Sequence, residues 1–107
     1  MDRCKQIVAN VRMEECYQEL SLVFNGTDQA LCNEIDAVIK DTCRAMRMDP
    51  SVFHTLDIDG KGSSAFCIEF DDQAQRDAGN FFLKVLQRLG IDHCEYDVVP
   101  RIQKAIQ

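Results

Sequence analysis

Any chemistry in this chain has to come from Cys4, Cys16, Cys32, Cys43, Cys67 and Cys94, from His54 and His93, and from 18 carboxylates set against 12 lysines and arginines. A cysteine becomes a nucleophile when a helix N-terminus or a neighbouring cation lowers its pKa. Cys32 stands nearest to that condition, in the first turns of a helix, but Asp28, Glu34 and Asp36 surround it and oppose a thiolate. The expected state is an inert, buried thiol. His93 and Cys94 are adjacent, yet neighbours in a strand point to opposite faces and do not share a ligand easily. His54 falls on a strand face with Leu56 and Ile58, where a histidine satisfied by one hydrogen bond is expected rather than a general base.

The metal motifs fail on spacing. Asp57-Ile58-Asp59-Gly60-Lys61-Gly62 opens like a calcium-binding EF-hand loop, but Lys61 stands where an oxygen ligand is needed and Ile68 where a bidentate acid is needed. A hairpin turn is the better reading. Zinc sites usually contain two cysteines separated by two to four residues, and here the closest pair is Cys32 and Cys43. Asn25-Gly26-Thr27-Asp28 has too few glycines for a phosphate loop and places a carboxylate where phosphate would sit. Serine in a nucleophile elbow and carboxylates of assignable catalytic geometry are both lacking. No catalytic residue, metal or cofactor is expected.

The elements that must position these residues follow from periodicity. Leu31, Ile35, Val38, Ile39, Thr42 and Met46 recur at three and four residues between Asp28 and Met48, with Thr27 or Asp28 as N-cap and Asp49-Pro50 as the stop. A second helix spans 72–89, where Ala74, Ala78, Phe81, Phe82, Val85, Leu86 and Leu89 form one stripe ending at Gly90. Between them, residues 52–58 and 64–70 are β-rich runs around a glycine-rich turn. Placing Leu56 and Ile58 on the face of Phe66, Ile68 and Phe70 requires an odd loop, of three or five residues with a glycine bulge. Leu20, Leu22 and Phe24 alternate in a strand before the first helix, and Cys94, Tyr96 and Val98 alternate in a strand after the second.

The central order is strand, helix, strand, strand, helix, strand, which is a ferredoxin-like βαββαβ α+β core with two helices on one face of an antiparallel sheet. A single domain over 1–107 is expected, with the core at 17–99, a helical extension at 1–15 and a short helix at 100–107 carrying Ile102 and Ile106 after Pro100. Within that extension, Cys4, Ile7, Val8 and Val11 have helical spacing, while Ile7, Ala9, Val11 and Met13 also alternate as a strand would. Helix is favoured.

A formal charge of −6 disfavours nucleic acid, whose affinity comes from cationic side chains on phosphates. The charged start, Met1-Asp2-Arg3-Cys4-Lys5-Gln6, and the absence of a long apolar run point away from export and membranes, towards a cytoplasmic protein with free thiols. Alternation places Glu19, Ser21, Thr55, Asp57, Cys67, Glu69, His93, Glu95 and Asp97 on the sheet face turned from the helices. With the first strand lying between the third and fourth, Glu19 would approach Glu69 and Glu95 or Asp97. The function expected is a non-catalytic binding or regulatory module, of inhibitor or immunity type, recognising a basic protein through Glu19, Asp57, Cys67, Glu69, His93, Glu95 and Asp97. One alternative is a small-molecule or metal binder or thiol-dependent enzyme on the open face or at Cys32. Another is a homodimer that docks through the open sheet face or edge and buries the N-terminal apolar stripe.

Overall fold

The computed structural model describes residues 3–14, 17–71 and 75–91. One helical turn, α1 (Arg3–Gln6), leads into strand β1 (Ile7–Met13), followed by β2 (Tyr17–Asn25), α2 (Gln29–Met46), β3 (Ser51–Thr55), β4 (Ser63–Asp71) and α3 (Gln75–Leu89). The four strands form one antiparallel sheet in the order β1-β2-β4-β3. Among the described residues, no helix is long and apolar enough to cross a membrane.

Both long helices form as their apolar stripes require. On α2, Leu31, Ile35, Ile39 and Thr42 are buried, and the Asp28 carboxylate caps the first turn by accepting from the Leu31 amide at 3.0 Å. That helix ends with Arg47 in the left-handed region, φ 54°, as Met48 N–H closes onto the Cys43 carbonyl at 3.1 Å. α3 ends in the same motif with Gly90 at φ 76°, where glycine avoids the strain that Arg47 carries. Ala78, Phe81, Phe82, Val85, Leu86 and Leu89 of α3 are buried with α2 against one sheet face.

The N-terminal residues depart from the sequence expectation. Only Arg3–Gln6 is helical, and Ile7–Met13 is a strand paired with β2 throughout, Ile7 opposite Phe24 and Met13 opposite Gln18. The period of two prevails because it puts Ile7, Ala9 and Val11 into the core at 5% exposure or less and leaves Val8 outside. This strand takes the position beside β2 that a ferredoxin-like order reserves for residues 93–98. Those residues, like the helix expected at 100–107, lie outside the described residues.

The β3–β4 hairpin also differs in detail. Its last paired residues are Thr55 and Ala65, so the loop is odd, as the shared face demands, but longer than three or five residues. Asp57, at φ 50°, accepts from the Gly62 amide at 2.9 Å, and Asp59 accepts from the amides of Lys61 at 2.9 Å and Ser63 at 3.3 Å. These carboxylates fold the loop onto itself, and the hydrogen bond from Lys61 draws the Asp59 pKa down. Leu56 and Ile58 consequently leave the core, at 70% and 46% exposure. Gly26 fits beneath this loop because a Cβ there would meet Ser64 Oγ and come within 2.6 Å of the Gly62 carbonyl oxygen.

The opposite fates of adjacent residues in β1 supply a test. Ile7→Asp should unfold the protein or cost several kcal/mol by burying a charge, whereas Val8→Asp should stay within about 0.5 kcal/mol of the parent in urea unfolding. Equal losses at both positions would restore the helical reading.

Candidate functional site on the open sheet face

The register of the central strands places two acids side by side. Leu20 and Leu22 of β2 pack beneath the helices opposite Ile68 and Phe66 of β4, so the intervening positions bring Glu19 opposite Glu69 and Ser21 opposite Cys67 on the other face. Rows across that face read Arg12–Glu19–Glu69–Ser51 and Asn10–Ser21–Cys67–Phe53. Like charges directly opposite cost about 0.2–1 kcal/mol where unlike pairs would gain it.

Two neighbours direct hydrogen atoms into this pair. Tyr17 Oη donates to Glu19 Oε2 in a short hydrogen bond, and Cys67 Sγ donates to Glu69 Oε2 at 3.6 Å. Burial and the Glu19 carboxylate push the Tyr17 phenol upward, since ionising it would add a third negative charge. Burial, Glu19 and Glu69 push the Cys67 thiol up to about 12. Neither group is a nucleophile at neutral pH; both serve as hydrogen-bond donors to carboxylates.

Arg12 is the cross-strand neighbour of Glu19, but its guanidinium binds Glu14 at 2.7 Å and lies 5.5 Å over the Tyr17 ring. Among the described residues, no ion pair includes Glu19 or Glu69. Donor atoms of Glu19, Cys67 and Glu69 lie within 4.8 Å of one another. Two hard oxygens and one soft sulfur at that spacing could clasp a divalent cation or receive an ammonium or guanidinium group.

Of the residues singled out from the sequence, the structure brings together Glu19, Cys67 and Glu69. Asp57 is not with them: it belongs to the hairpin loop, because pairing of β3 stops at Thr55. His93, Glu95 and Asp97 lie outside the described residues, and the place beside Glu19 assigned to Glu95 or Asp97 is held by Arg12. Tyr17, Arg12 and Phe53 were missed. The alternation of Leu20, Leu22 and Phe24, continued back to Tyr17, would have found the first; the others require the pairing of β1 and β3.

The thiols also differ from expectation. Cys32, Cys43 and Cys67 are free, but Cys4 is disulfide-bonded, so the reading of six free thiols fails there. Comparison of the chain with protein-family models, curated proteins and solved structures finds no match.

The raised Tyr17 and Cys67 values fix the sign of an alkaline effect. Their protonated forms are favoured in the fold, so this contribution is complete below the ordinary thiol value of 9.0 and is lost as pH rises towards the folded values. Thermal unfolding followed by circular dichroism should show stability falling above about pH 9, with a shallower fall in a Tyr17→Phe/Cys67→Ala variant. Parallel pH profiles would show that the two groups do not ionise against the carboxylates.

Proposed function

We propose that the protein is a non-catalytic binding module, regulatory in role, that recognises a basic protein by seating a lysine or arginine side chain between Glu19 and Glu69. The observation that carries this reading is the cross-strand pair of half-buried carboxylates with no described cation between them. A partner's cation would relieve the repulsion and gain charge-assisted hydrogen bonds. The net charge of −6 would steer such a partner, and Phe53, 51% exposed in the adjacent row, offers an apolar anchor beside the acids. Free Cys32, Cys43 and Cys67 support a cytoplasmic location, while the disulfide at Cys4 counts against a fully reducing one.

Affinity capture from the native cell, with the parent and a folded Glu19→Gln/Glu69→Gln variant compared, tests this. A basic protein held by the parent should bind the variant at least tenfold more weakly, about 1.4 kcal/mol. An unchanged affinity would end the reading.

A homodimer is the second reading. Of the N-terminal stripe, Ile7 and Val11 are already buried and Val8 is exposed on the other face. The sheet edge supports the dimer: β3 is exposed along its whole length, and among the described residues Val52, Phe53, Leu56 and Ile58 make four of the six exposed large hydrophobics. Ser51-Val52-Phe53-His54-Thr55 carries no carboxylate, lysine or arginine, so antiparallel pairing of two copies about Phe53 brings no acids together along the strand. Sedimentation velocity should show a dimer that Phe53→Lys converts to monomer; a monomeric parent removes this reading.

A further inference from the structure

Cys32 and His54 meet on the helix-covered side of the sheet, away from the carboxylate pair. One belongs to α2 and the other to β3, and Cys32 Sγ lies 4.0 Å from His54 Nε2. The imidazole is held flat. His54 pairs with Phe66 across β4 and stacks on it at 4.3 Å and 10°, while Phe66 stacks on Phe24 at 5.7 Å and 12°. A cleft of roughly 530 Å³ opens beside the two groups, with Gln29, Asn33, Asp36 and Lys40 of α2 along one wall.

The acids that oppose a thiolate in the sequence are otherwise engaged. Asp28 accepts from the Leu31 amide at 3.0 Å, Glu34 pairs with Arg3 at 3.1 Å, and Asp36 pairs with Lys40 at 2.9 Å. Among the described residues, the other two free thiols lie in less favourable surroundings. Cys43 is pushed up by burial and Asp49, and Cys67 by burial and two glutamates. Among the described residues, Cys32 is the free thiol that faces both an imidazole and an open cleft.

We propose that Cys32 and His54 form a thiol–imidazole pair that carries out thiol–disulfide exchange with small disulfides entering the cleft between α2 and β3. His54 Nε2 takes the thiol proton and Cys32 Sγ attacks one sulfur of the disulfide. The substrate S–S bond breaks as the Cys32 mixed disulfide forms, and the second sulfur departs as a thiolate that takes the proton back from the imidazolium. The substrate disulfide is itself the oxidant: Cys32 is oxidised and the departing half is reduced. This chemistry asks for a nucleophile, a proton acceptor and access, the three things the cleft presents. The amides of Gln29 and Asn33 suit a substrate with peptide-like substituents.

The full chain incubated with oxidised glutathione at neutral pH, followed by peptide mass mapping, tests the assignment. Cys32 should take up glutathione at least about tenfold faster than Cys43 or Cys67, as expected of a thiol paired with a base. His54→Phe keeps an aromatic ring for the stack on Phe66 and removes the nitrogen, and should slow Cys32 by about tenfold or more. Cys32→Ser should abolish the fast phase, with circular dichroism confirming the fold of each variant. Equal uptake at the three thiols, or a Cys32 rate unchanged in His54→Phe, would overturn the proposal.

Discussion

The rest of the structure depends on the register of β2 against β4. Leu20 and Ile68 are opposite each other and fully buried, and removing either from the core would forfeit roughly 2–5 kcal/mol. A slip of one residue would turn the apolar face of one strand outward, so this register is held far more strongly than any surface interaction could oppose. Glu19 and Glu69 are opposite each other because Leu20 and Ile68 are. The core enforces an electrostatic conflict on the far side of the sheet, and Tyr17 and Cys67 soften it from within by donating to the two carboxylates.

Much of this was legible in residue spacing, for a physical reason. α2, α3 and β2 each bury one continuous face, so their periods appear directly in the positions of Leu31, Ile35 and Ile39, of Phe81, Val85 and Leu89, and of Leu20, Leu22 and Phe24. Residues 7–13 carried two periods at once. Ile7 and Val11 satisfy a helix and a strand equally; pairing decides between them, since Ile7–Met13 can bond to β2 through a short connection that Glu14 and Tyr17 close with a 2.8 Å backbone hydrogen bond. Leu56 and Ile58 misled in the opposite sense. Their alternation continues that of Val52 and His54, but the backbone amides bound by Asp57 and Asp59 set the local path, and no periodicity reports that.

The candidate site was legible only where it followed from alternation. That Glu19 and Glu69 point away from the helices is a consequence of Leu20 and Ile68 pointing towards them; that they are neighbours is a consequence of strand order, which apolar spacing does not encode. The same limit hid the pairing of Cys32 with His54. A count of nearby acids set Cys32 down as inert; the Asp28 cap and the Asp36–Lys40 pair follow from helical spacing, but the pairing of Glu34 with Arg3, 31 residues away, does not.

β4 links the two faces. Cys67 and Glu69 belong to the carboxylate site, while Phe66 between Ala65 and Cys67 carries the ring on which His54 stacks. Alternate residues of one strand therefore serve two chemistries separated by the thickness of the sheet, one that keeps a thiol protonated and one that sets a thiol against a base. The separation is what lets both persist: a thiolate at Cys67 would stand against two carboxylates, whereas at Cys32 the nearby acids are already bound. Cys67 on the open face and Cys43 on α2 are both held as thiols by burial and nearby carboxylates, and what sets Cys32 apart is the imidazole that β3 brings beside it.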